Sequence, residues 1–305
     1  MRIVLAGGSG FLGKALDAHL SGLSHEVTVL TRRPNAANPN EVGWQPDGRA
    51  TGDWATALDE ADAVINLAGA GIADARWTPQ RKAALRSSRL LATRSLVAAI
   101  ASCATPPRIF ISGSAVGYYG AHAEEPLTEN TPAGPDFLAQ LCVEWEREAT
   151  LAEPATKVAI VRTGLVLSRS GGALARMLLP FRLGLGATLG SGHQFMSWIH
   201  INDWVNLVTW LLTDERARGA FNATAPEPVT NADFTLRLGM SLRRPAILQA
   251  PAFVLKAAMG EMSQVLLTGQ RVLPARAEQM GFRFQFRELE QALVDVLQKK
   301  QGSTP

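Results

Sequence analysis

The chain has 305 residues, 47% of them hydrophobic and 19% charged, and its 30 basic and 27 acidic side chains leave a formal charge of only +3. No stretch reaches 18 apolar residues, so hydropathy excludes a membrane span, and the basic residues are dispersed, so nucleic acid is not an expected partner. Cys103 and Cys142 are too few for a disulfide framework, and His19, His25, His122, His193 and His200 show no ligand spacing, so no metal is expected.

Residues 2–6 form the first predicted strand, and Met1 leads into it with no signal-peptide pattern, so a cytoplasmic setting is expected. Further short apolar runs at 26–31, 63–67, 108–112 and 157–163 read as buried strands, and 10–20 and 78–102 are long enough for crossover helices. Strands and helices in alternation predict an α/β fold, a Rossmann-type doubly wound parallel sheet. Beyond Leu167 the pattern turns to glycine-rich turns, prolines and shorter helices, which predicts a smaller C-terminal α+β lobe. The expected division is 1–225, with an insertion at about 168–200, followed by a substrate or lid domain over 226–305. In that lobe Phe282, Phe284 and Phe286 alternate with polar residues as a half-buried strand would, 288–298 is an amphipathic closing helix, and the polar tail 299–305 is expected to fray.

The first strand runs directly into Gly7, Gly8, Ser9, Gly10, Phe11, Leu12 and Gly13, at the start of the first helix. Glycines at 7, 10 and 13 allow a tight turn, backbone approach to a pyrophosphate and close helix packing, with the helix N-terminus supplying amides to the phosphates. Gly8, Gly13 and Lys14 also fit the start of a nucleoside-triphosphate loop, but position 15 is alanine where that loop needs a hydroxyl for Mg²⁺. A dinucleotide is therefore expected. The second strand ends in Thr31, Arg32 and Arg33 and offers no carboxylate for a ribose 2′-hydroxyl, so NADP(H) is preferred to NAD(H). The plainer alternative is a pair of solvated arginines before the Pro34 turn.

With these motifs the chain resembles the extended short-chain dehydrogenase/reductase superfamily, in its atypical branch similar to nucleoside-diphosphate-sugar epimerases. Asn66, Leu67, Ala68 and Gly69 look like the segment that supports the cofactor's adenosine half. The run from Ser112 to Gly120 looks like the segment carrying the superfamily's catalytic serine, which makes Ser114 that serine. Arg76, Trp77, Thr78, Lys82, Ser88, Arg89 and Thr93, followed by Ser197, Trp198, Ile199, His200 and Asp203, resemble an epimerase family of unknown substrate. The resemblance implies cofactor contacts at Arg89, Ser112 and Arg162, and a substrate pocket at Arg76, Trp77, Lys82, Gln194, Trp198 and His200.

Several of these residues have a structural alternative. Arg162 ends a predicted strand and either faces the cofactor edge or pairs with a buried carboxylate. His200 followed by an acidic residue is more often a structural pair, and Asp203 with Asn202 reads first as a helix cap.

One part of the superfamily pattern is missing. The proton-exchanging Tyr-x-x-x-Lys pair has no counterpart: on the corresponding helix Phe137 or Leu138 stands for the tyrosine and Leu141 or Cys142 for the lysine. Tyr118, four residues past Ser114, is the nearest phenol able to replace it; the plainer alternative is that its ring only lines the pocket beside the nicotinamide or substrate. The resemblance thus leaves two readings: an oxidoreductase or epimerase acting on a small sugar-like or carbonyl substrate, or a catalytically silent NADP(H) sensor or scaffold.

Overall fold

The computed structural model describes residues 1–298, and the fraying expected of 299–305 lies outside the described residues. Its main sheet has seven strands, β1 (Arg2–Ala6), β2 (Glu26–Thr31), β3 (Glu41–Gly43), β4 (Ala63–Asn66), β5 (Ile109–Ala115), β6 (Lys157–Thr163) and β7 (Gly219–Ala223). They lie in the order β3-β2-β1-β4-β5-β6-β7, and the run from β3 to β5 pairs in parallel. Chain order reverses between β1 and β4, the topological switch point beyond whose strand ends doubly wound sheets bind ligands.

The alternation of side chains explains why these strands read as unbroken apolar runs. Val4, Ala6, Val64, Phe110, Val158 and Ile160 pack in one cluster with Ala92, Leu96 and Ile100 of helix α2 (Pro79–Ser102) and Ala149 of helix α3 (Phe137–Thr150). Ile3, Leu5, Ile65, Ile109, Ile111 and Ala159 project to the other face and are equally buried. Helix α2 begins where its sequence dictates: Thr78 accepts a hydrogen bond from the Arg81 amide, and Pro79 occupies the first turn.

β1, β2 and β6 have the expected bounds, whereas β5 runs on to Ala115. β3 and β7 were not anticipated. Glu-Val-Gly is too short to display a period, and Gly-Ala-Phe-Asn-Ala holds a single strong strand former.

The chain forms two compact units, each assembled from separated stretches. One comprises Met1–Tyr118, Phe137–Arg162 and Val205–Phe221; the other draws Tyr119–Asp136 and Thr163–Trp204 together with the chain from Asn222 onward. The second unit is joined by ladders of two or three residues, too short to read in sequence: Leu165–Leu167 with Trp198–His200, Ala187–Leu189 with Leu248–Ala250, and Pro126–Leu127 with Arg271–Val272. Its core gathers Leu174, Phe181, Trp198, Phe234, Phe286 and Leu293.

The closing helix is present as Leu289–Gln298, but the expected strand through Phe282, Phe284 and Phe286 is irregular chain. Asp203 takes its backbone donors instead: the amides of Gln285 and Phe286 donate to the two carboxylate oxygens at 2.8 and 2.9 Å. Asp203 therefore anchors a distant segment and is not the helix cap that its position suggests. Burial pushes its carboxyl above the usual range, against the opposing pull of those two amides.

Candidate functional site

The turn after β1 leaves no room for side chains. Gly7 has φ +82°, and a Cβ there would stand 2.7 Å from the carbonyl carbon of Leu67. At Gly8 a Cβ would meet Val29 Cγ1 at 2.7 Å, and at Gly13 it would meet Gly8 Cα at 2.5 Å, so the first helical turn rests directly on the loop. Ser9 and Gly10 are exposed, and Phe11 and Leu12 are half-buried. Helix α1 (Phe11–Gly22) has no side-chain cap from Gly10 and no acidic residue in its first turn, which leaves its amides and its positive end available to an anion. This cradle fits the pyrophosphate of a dinucleotide.

At the end of β2, Thr31 is buried; its carbonyl accepts from the Trp44 amide at 2.9 Å and its hydroxyl from the Arg33 amide at 3.4 Å. Arg32 and Arg33 are exposed, and neither pairs with a carboxylate among the described residues.

The segment leaving β4 is lashed to α2. Asn66, fully buried, donates from Nδ2 to Thr93 Oγ1 at 2.9 Å and accepts from the Ala68 amide at 3.1 Å. Ser88 Oγ accepts from the Ala70 amide at 3.0 Å, Arg89 donates to the Ala70 carbonyl at 3.0 Å, and Arg81 donates to the Gly71 carbonyl. A Cβ on Gly69 would lie 3.1 Å from the Arg89 guanidinium carbon, so Leu67, Ala68 and Gly69 follow a path set by helix side chains. Burial lowers the Arg89 pKa from its ordinary value, and nearby Arg81 adds to that pull.

Farther along, Trp77 donates to the Ile72 carbonyl at 2.9 Å and meets Phe137 edge-on, with ring centroids 5.4 Å apart. Lys82 Nζ lies 4.9 Å from the same ring, while Arg76 is exposed. Phe137, one of the residues standing for the missing tyrosine, thus packs against two of the expected pocket residues.

A buried polar cluster sits at the ends of β5 and β6. Ser114 donates from Oγ to Glu146 Oε1 at 2.6 Å. Arg162 grips the same carboxylate by two bonds, Nε to Oε1 at 2.9 Å and Nη2 to Oε2 at 2.8 Å. Its guanidinium carbon lies 3.4 Å from the centre of the Tyr118 ring. The alternative of a buried carboxylate partner for Arg162 therefore holds, and its fork is engaged by Glu146. Ser112 is buried one turn of the pleat earlier, its hydroxyl 3.4 Å from the Gly113 carbonyl. Cys142 donates weakly to the Ala115 carbonyl at 3.8 Å, and burial pushes its thiol up to about 11.

Glu146 was not singled out from sequence, although a signal was present. Ala139, Cys142 and Ala149 mark the buried face of α3, and Glu146 falls on that face at helical spacing. A carboxylate so placed needs a buried cation, which Arg162 on the neighbouring strand provides.

Over residues 3–223 the chain matches the model of the NAD dependent epimerase/dehydratase family. The chain belongs to that family. Residues 250–296 match a second model, a domain of unknown function designated DUF1731. An epimerase family protein of Mycobacterium bovis is 42% identical over 294 residues, covering 95% of this chain and 96% of that protein. The chloroplastic SDR39U1 homolog of Arabidopsis thaliana is 38% identical, covering 98% of this chain and 87% of its own. Among solved structures, human epimerase family protein SDR39U1, crystallised with NADPH, superposes with a TM-score of 0.90 at 38% identity, covering 97% of this chain and 99% of that one. These relatives fit the atypical extended short-chain dehydrogenase/reductase resemblance.

In this family member three residues expected in the pocket have structural roles in the second unit. Trp198 is fully buried in the core and donates to the Glu227 carbonyl at 3.0 Å. His200 is also buried: Nδ1 accepts from the Asn202 amide at 3.1 Å, Nε2 lies 3.1 Å from Asp295 Oδ2, and the ring stacks on Phe286 at 3.9 Å. Gln194 donates to the carbonyls of Leu189 and Leu266, both at 2.9 Å. Polar residues clustered after a glycine-rich loop also suit a lobe held by short ladders. No helix among the described residues is long and apolar enough to cross a membrane.

Proposed function

We propose that this protein binds NADP(H) and acts as an oxidoreductase or epimerase on a small sugar-like or carbonyl substrate. The carrying observation is the pair Arg32 and Arg33, exposed at the end of β2 with no carboxylate partner among the described residues and no acidic residue placed at that strand end for a ribose hydroxyl. A planar guanidinium matches a 2′-phosphate in both charge and hydrogen-bonding geometry. The glycine cradle supports the pyrophosphate position, and the NADPH-containing human relative supports the same cofactor.

When bound, NADP(H) would exchange a hydride with substrate. The side chains around Ser114 supply the proton path that the missing Tyr-x-x-x-Lys would otherwise give. Ser114 spends its own proton on Glu146, so its lone pairs are left to accept from a substrate hydroxyl. A proton arriving at Ser114 Oγ displaces the serine proton onto Glu146 Oε1, while Arg162 holds the carboxylate in place. Tyr118 braces the guanidinium with its ring. The C-terminal lobe is assigned the substrate side, and the unpaired cysteines support a cytoplasmic setting.

The test is calorimetric titration of cofactor-stripped protein with NADPH and NADH, for wild type and Arg32→Ala. NADPH binding weakened selectively by the substitution is the expected result; binding of neither nucleotide sinks the reading. The absence of tyrosine and lysine from α3 favours a second reading, a silent NADP(H) sensor or scaffold. Ser114→Ala separates the two, since an unchanged phenotype with cofactor binding intact argues for the sensor.

A further inference from the structure

One buried hydrogen-bond donor of the first unit has no acceptor. The indole nitrogen of Trp44, a residue only 3% exposed, meets no partner among the described residues. Its neighbours in kind are satisfied: Trp54 donates to the Thr51 carbonyl, Trp77 to the Ile72 carbonyl and Trp145 to Thr93 Oγ1, each at 2.9 Å. Buried polar groups are nearly always paired, so a donor left over calls for a partner from outside the chain, a ligand or a water.

Trp44 stands at the adenosine end of the proposed nucleotide site. It follows β3 directly, and its amide donates to the Thr31 carbonyl at 2.9 Å. Thr31 is the register partner of Gly43, so Trp44 lies beside the strand end that presents Arg32 and Arg33. Its side chain belongs to the apolar cluster that includes Ala6 and Leu30, the residues before Gly7 and Thr31, and against which Ala68 packs. The ends of β1 and β2 and the chain leaving β4 thus share one packed cluster with this indole. The Trp54 ring is tilted against it, with centroids 5.6 Å apart.

We propose that Trp44 reads the base of the dinucleotide, its indole N–H donating to a ring nitrogen of adenine. The inference rests on the NADP(H) reading and adds to it a residue that recognises the base. An indole nitrogen can only donate, so its partner is an acceptor. Adenine carries acceptors on its ring, N3 and N7 among them. The 2′-phosphate is the poorer partner for this donor. A dianion among apolar side chains would lose its hydration without gaining a countercharge, whereas the exposed guanidiniums of Arg32 and Arg33 supply that charge in water. A neutral, planar base loses far less on entering such surroundings, and aromatic side chains stack on bases of any kind.

The probe is 2′,5′-ADP, which carries the base and the 2′-phosphate without the nicotinamide half, added to the ¹⁵N-labelled full chain and followed by NMR. The chain has seven tryptophans, and the Trp44 indole signal is the one lost in Trp44→Phe and again in Trp44→Tyr. Saturation with 2′,5′-ADP should move that signal downfield, as a new hydrogen bond does. 5′-AMP, which lacks the 2′-phosphate, should move it likewise at higher concentration. In calorimetry Trp44→Phe should weaken NADPH and 2′,5′-ADP alike by about 10-fold, the worth of one hydrogen bond. Bound 2′,5′-ADP that leaves the indole signal in place overturns the inference and assigns the N–H to a buried water. A shift caused by 2′,5′-ADP but not by saturating 5′-AMP overturns it in favour of the phosphate. A wild type that binds neither NADPH nor 2′,5′-ADP sinks the NADP(H) reading itself and this inference with it, an outcome that the titration distinguishes from the other two.

Discussion

Glu146 accepts from both Nε and Nη2 of Arg162, at 2.9 and 2.8 Å, in a pair whose side chains are 12% and 5% exposed. A buried pair of this kind costs much to break and little to replace. Glu146→Gln is expected to destabilise the fold by about 3–5 kcal/mol, because it leaves a buried guanidinium without its countercharge. Glu146→Gln combined with Arg162→Met should recover most of that loss in urea denaturation. A double variant as unstable as the single one would refute the pairing argument.

Cys142 gives a prediction in pH. Its thiol ionises at about 11 in the folded chain, above the ordinary 9.0, because burial disfavours the thiolate. A raised value means that the folded state keeps a proton which the unfolded state releases. The contribution is therefore complete below pH 9 and is lost as pH climbs towards 11. Wild type should lose stability over that window more steeply than Cys142→Ala. At pH 8, iodoacetamide should modify the half-buried Cys103 and spare Cys142 until the chain unfolds.

The phosphate turn should not tolerate a methyl group. In Gly13→Ala the new Cβ would fall 2.5 Å from Gly8 Cα, and backbone cannot give way as a flexible side chain can. A loss of about 1–3 kcal/mol is expected from overpacking. The larger effect should appear in calorimetry, as NADPH affinity lowered by displacement of the α1 N-terminus. Unchanged affinity would detach the turn from nucleotide binding.

Asp203→Asn tests the anchoring of the 285–286 segment. An amide side chain offers one acceptor oxygen where the carboxylate offers two, so one of the two backbone donors loses its partner. The expected cost is about 1–3 kcal/mol. Hydrogen exchange should quicken at the amides of Gln285 and Phe286 before it does in β1. Equal protection in the variant would show that packing alone holds the segment.

What sequence revealed follows the range of the interactions involved. The glycine turn was legible because its spacing is a local signature: Gly13 rests on the backbone of Gly7 and Gly8 within seven residues, whereas Leu67 and Val29, which confine Gly7 and Gly8, come from the distant fold. β1, β2 and β6 were legible because both faces of the sheet are covered, so burial writes itself as a continuous run. The partners of Trp198 and His200, Glu227 and Asp295, lie 29 and 95 positions away, beyond the reach of a local sequence pattern. The Ser114–Glu146 bond spans 32 positions, and only the tertiary fold closes that distance.

The sheet has consequences during synthesis as well. β3, three residues with a glutamate at its start, blunts one edge against pairing with other molecules. The opposite flank is completed by β7, the last of the seven strands to be made. Until residues 219–223 leave the ribosome, β6 is an open edge whose first six residues are destined for burial. A nascent chain stalled near residue 200, or one truncated there, should pair that edge with others like itself. Its solubility should return abruptly once the final strand is added.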